Sequence, residues 1–303
     1  MKRFSKITTT QLARICGVSQ GTVDRALHNR PGVKDETREK ILAVAREYDY
    51  VPHVNGSDQG PSMLIGVILF DLYNEYFSKL AMSLVQEAKT MGYSLIFQFS
   101  EKDFKRERTA WEYFDYIGVD GIILFSAGSD SPEYENYLRS LTKPLILIGN
   151  RLFDLPYVGI DDRKAMEDIT LRLTEDSPDE TVVYYAPILR KSLNKDNAQN
   201  LRLQGFIEAM EQRKGKFQII TNLDDLSPCN TIICATDYYA VSVLKHLGFP
   251  TDVKISGFDN ISLLKTFNNP ILTVEYSTDQ IAQESLNYLL GKPYSPKIEY
   301  RLV

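Results

Sequence analysis

From Met63 onward, continuous apolar runs alternate with apolar residues at helical spacing. Met63–Asp71, Tyr93–Ser100, Asp120–Ser126, Leu145–Asn150 and Val158–Ile160 read as strands. Between them Phe77, Leu80, Ala81, Leu84, Val85 and Ala88 mark an amphipathic helix closed by Gly92, and a second helix is expected near Arg106–Ile117. The rhythm restarts with strands at Thr181–Ala186, Phe217–Thr221, Thr231–Thr236 and Val253–Phe258, and helices at Leu201–Gln212 and Tyr239–Leu247. Strands apolar on both faces and separated by helices imply parallel sheets covered on both sides. Two such runs predict an α/β body of two Rossmann-like lobes, with ligands bound beyond the strand C-termini in the cleft between them.

Residues 8–50 follow a different pattern, helical throughout and cut into short pieces. Thr8-x-x-Gln11 reads as a capping box ahead of Leu12, Ala13 and Ile15. Gly17 stops that helix and Ser19 is placed to cap the next, which carries Thr22, Val23, Ala26 and Leu27. A third helix starts at Asp35, with Ile41, Val44, Ala45 and Tyr48 on one side. Two short helices joined by a glycine-containing turn predict a helix-turn-helix, whose second helix, Ser19–Leu27, fits the major groove of DNA. Its outer face presents Gln20, Gly21, Asp24 and Arg25. Gln can bond an adenine edge bidentately, and Arg a guanine edge. A helical hairpin that only packs on the body, with Arg25 a solvated charge, is the alternative on pattern alone.

Charge sharpens the division. Residues 1–52 hold ten Lys/Arg against six Asp/Glu, net +4; the other 251 hold 25 against 34, net −9. A basic end on an acidic body suggests that one end meets a polyanion. With 43% hydrophobic residues and a net charge of only −5, the 303-residue chain is expected to fold rather than stay disordered. No apolar stretch approaches the roughly 18–20 residues of a membrane span, and the basic N-terminus has no apolar segment behind it. A cytoplasmic protein is expected. Cys16, Cys229 and Cys234 lack the spacing of a disulfide framework or a zinc site, so no metal or cofactor is expected.

The stretch from Thr10 through Val33, with Gly17-Val-Ser19 and Thr22-Val-Asp-Arg25, then Glu36–Leu42 and Tyr50-Val-Pro52, closely resembles the headpiece of the lactose-repressor (LacI/GalR) family of bacterial transcription regulators. The resemblance implies base contacts from Gln20, Gly21 and Arg25. The candidate DNA-binding set is Thr8, Ser19, Gln20, Gly21, Thr22, Arg25, His28 and Asn29. Asp24 stands where the family usually has Ser, and an acid so close to phosphates is repulsive unless it pairs with a cation or a cytosine amino group.

The body resembles the effector domain of the same family and the type I periplasmic sugar-binding proteins. The matches are Gly149-Asn-Arg151, Gly159-Ile-Asp-Asp162, Arg202-Leu-Gln-Gly-Phe206, Ala235-Thr-Asp237, Ser256–Asn260 and Pro270–Val274. By position the resemblance places Tyr76, Phe77, Arg151, Arg202, Asp237 and Asp259 against the ligand. The polar strand ends add Ser126 and Asn150. Hydrogen-bonding Asp, Asn and Arg groups beside an aromatic platform suit a sugar's hydroxyls and C–H faces. For any one of these residues, capping or a structural ion pair explains it about as well.

The expected division is a headpiece over 1–52, a linker over 53–62 and a body over 63–303. Within the body, lobe one takes about 63–161 plus 278–303 and lobe two about 162–277. The linker departs from the family pattern at His53, Gly56, Ser57 and Gln59, and Gly56, Gly60 and Pro61 disfavour a helix. A tether without the family's minor-groove leucine wedge is therefore expected. The implied function is a homodimeric regulator, most simply a repressor, that binds double-stranded operator DNA under control of a sugar-like effector. Control by a protein partner such as a phosphocarrier protein, and a sugar-binding protein without a DNA function, are the alternatives. Walker, GxGxxG, GxSxG and HExxH motifs are absent, so an enzyme is not expected.

Overall fold

The computed structural model describes residues 9–27, 30–48, 50, 61–127, 131–176, 179–187, 197–250, 252–268 and 270–303. Thr8, His28 and Asn29 of the expected DNA-binding set lie outside the described residues, as does linker segment 51–60, on which the expectation of a missing leucine wedge falls.

The N-terminal unit consists of three helices, α1 (Thr9–Cys16), α2 (Gln20–Leu27) and α3 (Asp35–Glu47). Leu12, Ala13, Cys16, Val23, Ala26, Ile41 and Ala45 close a small core among them. The turn between α1 and α2 depends on Gly17, whose φ of 71° is left-handed backbone that glycine adopts freely. Ser19 caps α2 by accepting from the backbone N–H of Thr22 at 3.2 Å. Lys40 of α3 donates to the carbonyl of Cys16 at 3.3 Å, satisfying the end of α1.

The body begins at Pro61. Ser62 and Met63 donate their backbone N–H groups to the carboxylate of Asp120 at 2.9 and 2.8 Å, anchoring the chain as it enters the first sheet. That sheet comprises β1 (Leu64–Leu69), β2 (Ser94–Phe99), β3 (Gly121–Leu124), β4 (Leu145–Ile148) and β5 (Tyr157–Val158), all parallel in the order β2-β1-β3-β4-β5. Helices α4 (Glu75–Thr90), α5 (Phe104–Ile117) and α6 (Pro132–Ser140) connect its strands. The second sheet is β6 (Thr181–Tyr185), β7 (Lys216–Ile220), β8 (Thr231–Cys234), β9 (Lys254–Ser256) and β10 (Ile271–Leu272), parallel in the order β10-β9-β8-β6-β7. Its helices are α7 (Asp162–Leu173), α8 (Ala198–Gln212) and α9 (Asp237–Leu247). α7 and α8 pack so closely that a Cβ on Gly205 would sit 2.0 Å from the carbonyl oxygen of Arg163.

The chain then returns through β11 (Val274–Tyr276) to α10 (Thr278–Leu289), which packs on α4 and the first sheet. It ends in β12 (Tyr300–Leu302), antiparallel to β11. Gly159 bridges to Lys297 beside this pair. The lobes are therefore joined where 159–161, 274–276 and 297–302 run.

Three helices escape the apolar-periodicity reading: α6, α7 and α10. α6 is mostly polar and buries only Tyr134 and Leu138, but Ser131 caps it and Pro132 occupies its first turn. α7 and α10 are capped by Asp161 and Ser277. No helix among the described residues is long and apolar enough to cross a membrane.

Candidate functional site

On the recognition helix, Ser19, Gln20, Gly21 and Arg25 are exposed and Thr22 is half-buried. Gln20 donates to the hydroxyl of Thr10, so its amide is held against the preceding helix. The guanidinium of Arg25 donates through Nε to the carbonyl of Gly21 at 3.0 Å, which lays its side chain along the helix. Asp24 forms an ion pair with Arg30 at 3.3 Å. The cation expected to offset an acid close to DNA phosphates is thus supplied from within the chain. Arg30 is a contact that the motif reading did not foresee, although it lies only six residues on.

Between the lobes is a cavity of about 380 Å³. Tyr76 and Phe77 of α4, with Phe70 and Phe125 at strand ends, form one aromatic wall; Phe70 and Phe77 both meet Phe125 edge-on at 4.8 Å. Tyr157 and Tyr276 contribute further rings. Asn150, Asp162, Gln199, Arg202 and Asp259 bring polar groups from both lobes. Apart from Tyr157, which opens β5, these residues lie at strand C-termini and near helix starts, the usual place for ligands in open parallel sheets.

Arg202 organises the floor. Its Nε donates to Asp162 at 2.8 Å, one Nη to the carbonyl of Ala235 at 2.9 Å, and the other to Asp259 at 3.4 Å. The guanidinium lies over the ring of Phe258 at 3.5 Å. Tyr276 donates to Asp259 at 2.9 Å. Asp259 itself has a φ of 100°, a strained backbone held by this bonding. Burial works against the charge of Arg202, but Asp259 and Asp162 outweigh it and keep the group protonated. Burial pushes Asp162 up to about 6 despite the opposing pull of Arg202.

The lobes also touch at the cavity mouth. Glu75 accepts from the backbone N–H of Ser262 at 2.8 Å and from its hydroxyl at 2.8 Å. Lys79 donates to the carbonyl of Asn260 at 3.2 Å, and the hydroxyl of Tyr238 accepts the N–H of Glu75 at 3.1 Å.

Of the residues expected at the ligand, Tyr76, Phe77, Asn150, Arg202 and Asp259 line this cavity. Three do not. Ser126 is fully buried, and its hydroxyl bonds to Tyr134 at 2.9 Å and to Glu107, facing the interior of lobe one. Arg151 is exposed and lies over the ring of Tyr157 at 4.7 Å. Asp237 sits beneath the floor, accepting from the N–H of Ile261 at 2.9 Å and the hydroxyl of Thr273 at 2.7 Å. In each case the side chain satisfies a buried or stacked neighbour instead of presenting itself to the cleft. Tyr157, Tyr276, Phe125 and Gln199 were missed, because nothing in an aromatic or amide residue at a strand or helix end separates wall from core.

Residues 9–53 match the model of the bacterial regulatory proteins of the lacI family, and residues 62–279 match that of the periplasmic binding proteins and sugar-binding domain of the LacI family. The chain belongs to the LacI family. Along nearly its whole length this LacI-family chain is similar to the ribose operon repressor of Bacillus subtilis, 25% identical over 94% of this chain and 91% of that protein. In fold it is similar to a complex of the transcriptional regulator CelR with cellobiose (TM-score 0.65, 19% identity, 98% of each chain covered). It is also similar to the lac repressor dimer bound to operator and the anti-inducer ONPF (TM-score 0.66, 17% identity, 99% and 98% covered). As members of this family are DNA-binding transcriptional regulators with an effector domain, the helix-turn-helix and the two-lobed body are the working parts of such a regulator.

Proposed function

We propose that a homodimer of this regulator binds a pseudo-palindromic operator through Gln20 and Arg25. A sugar-like small molecule in the cleft, held by Tyr76, Phe77, Asn150, Arg202 and Asp259, sets its affinity. The cavity carries the reading: aromatic walls and convergent polar groups from two lobes meet around a space of about 380 Å³. A ligand there bonds both lobes at once, so its binding favours the arrangement in which they touch. Its leverage equals its differential affinity for the two arrangements, commonly about 1–3 kcal/mol. Two headpieces on one operator follow from the symmetry of a dimer. The lac repressor dimer on its operator and the cellobiose complex of CelR supply precedents for both halves of the reading.

The test begins by selecting binding sites from random duplexes, which yields an operator sequence. Fluorescence anisotropy on that operator then reads affinity with and without pentoses, hexoses and disaccharides. A ligand-dependent change that is abolished in Tyr76→Ala supports the reading. Operator binding that responds to a phosphocarrier protein and to no sugar overturns the small-molecule half of it.

A further inference from the structure

We propose that Glu107 is a positioning residue of the cleft. Through one intervening peptide group it aims Asn150 of lobe one at the start of helix α8 in lobe two. The relay belongs to the lobes themselves and holds whichever ligand the cleft takes.

β3 ends at Leu124, and just past it the N–H of Phe125 still donates to the carbonyl of Ile68 on β1, at 2.8 Å. The next peptide group, between Ser126 and Ala127, lies beyond the strand, and its polar atoms need partners of their own. Its N–H donates to Oε2 of Glu107 at 2.6 Å, and its carbonyl accepts from Nδ2 of Asn150 at 2.8 Å. A trans peptide is planar, with N–H and C=O pointing in opposite directions, so holding one end aims the other. Asn150 works the same way. Its planar side-chain amide turns the NH2 toward a carbonyl, which only accepts, and Oδ1 toward the N–H of Ala198, which only donates, at 3.1 Å. Glu107 thus connects to the first turn of α8 through three hydrogen bonds and two rigid amides.

The anchor of this relay is fixed in place. Glu107 is fully buried on α5, on the face that carries Ala110, Trp111 and Phe114. Its Oε1 accepts from the hydroxyl of Tyr134 on α6, and the hydroxyl of Ser126 reaches the same oxygen at 3.3 Å. Burial in a packed interior leaves the carboxylate no alternative position, and these donors set its direction. The far end is on the ligand side. Ala127, Asn150 and Ala198 all line the cavity, so the relay runs along its wall where the lobes meet. The N–H of Ala198 lies in the first turn of its helix and has no carbonyl of that helix to reach. Its protection from solvent therefore reports whether Asn150 is correctly aimed.

The two reporting amides, Ala127 and Ala198, are both alanines, so the test is amide solvent exchange by NMR in the full chain labelled with 15N-alanine. Ala127→Ser and Ala198→Ser assign the two signals. Glu107→Ala should speed exchange at both amides by about tenfold, the loss of roughly one hydrogen bond at each. Ala240 in α9, whose N–H donates to the carbonyl of Thr236 at 3.1 Å, should not change. Asn150→Ala should speed Ala198 and leave Ala127 protected, which gives the relay its direction. Glu107→Gln keeps an acceptor for the Ala127 N–H and should hold both amides within about twofold of the wild type. Should Glu107→Ala fail to fold, Glu107→Asp is one methylene shorter, draws the carboxylate away from Ala127, and is read in the same way. Faster exchange at Ala127 with Ala198 still protected overturns the proposal, because Glu107 then supports its own lobe alone. A loss of protection at Ala198 in Glu107→Gln as large as in the shortened variants overturns it too, since the acceptor is retained there.

Discussion

Asn150 Oδ1 accepts the backbone N–H of Ala198 at 3.1 Å, so a strand end of one lobe caps the start of a helix in the other. Its amide donates to the carbonyl of Ser126 at 2.8 Å, which fixes the side chain for that role. The residue joins the lobes as well as lining the cavity. Asn150→Ala removes both bonds, at a cost of about 1–3 kcal/mol that falls on the arrangement in which the lobes touch. Effector affinity should drop by roughly tenfold or more, and small-angle scattering should show a larger radius of gyration without effector. An unchanged radius and affinity would show that Glu75 and Ser262 hold the lobes without help.

Asp237 offers a contrast, because its position in the motif suggests a ligand contact and its geometry does not. Its carboxylate accepts from Ile261 and Thr273, and a Cβ on Gly257 would lie 2.1 Å from its Oδ1. Asp237→Ala leaves two buried donors unsatisfied and opens a space at the floor of lobe two. The expected cost is about 2–4 kcal/mol of stability, or a fall in Tm of roughly 5–15 °C. Effector affinity of the remaining folded protein should stay within about threefold, since one tenfold step is 1.4 kcal/mol. Calorimetry of the variant with and without effector separates the two roles. A large loss of affinity at unchanged Tm would return Asp237 to the cleft.

The extent to which the sequence revealed this molecule follows from where each signal resides. Parallel strands such as Ile65–Leu69 and Ile232–Cys234 are buried on both faces and stand out as apolar runs. α6 was invisible because two buried residues in nine make no stripe, although its cap and proline were there to read. The polar strand ends led to the cleft, and five of the eight residues expected at the ligand line its cavity. Ser126, Arg151 and Asp237 do not line it, because a motif gives a position along the chain, whereas a cavity wall depends on which way a side chain turns. Glu107 had a legible sign: it shares the buried face of its helix with Ala110, Trp111 and Phe114, an acid on an apolar stripe.

The headpiece gives a prediction about sequence discrimination. Arg25→Ala should lower affinity for the selected operator by about 1–3 kcal/mol and relax preference at one base position, leaving salt-sensitive binding to unrelated DNA. Asp24→Ser removes an acid near the phosphates and frees Arg30 from its 3.3 Å pairing. It should tighten binding to operator and unrelated duplex alike and steepen the salt dependence. Anisotropy titrations at several salt concentrations read both effects. A preference that survives Arg25→Ala would mean that bases are read from another face.

Glu107 makes the pH dependence of folding testable. It is fully buried, accepts from the N–H of Ala127 at 2.6 Å, and bonds to the hydroxyls of Ser126 and Tyr134. Burial pushes its carboxyl up to about 7, against the pull of the Ala127 N–H and Ser126 hydroxyl. A carboxyl raised in the folded state binds its proton more tightly there than in the unfolded chain. Its contribution is therefore fully present below the ordinary glutamate range and is lost as pH rises through about 7. Every tenfold gain in proton affinity on folding is about 1.4 kcal/mol, so the swing is on the order of 3–4 kcal/mol. Glu107→Gln keeps a neutral side chain at every pH and should be free of that loss. Urea midpoints at pH 5, 6, 7 and 8 should show the variant gaining on the wild type as pH rises, with the gain levelling off above about 8. Asp237, also raised to about 7 by burial and by the charge of Asp259, titrates in both proteins and cancels in the difference. Parallel curves across this range would place the Glu107 carboxyl back among ordinary glutamates, ionised in the folded protein and held by its three donors.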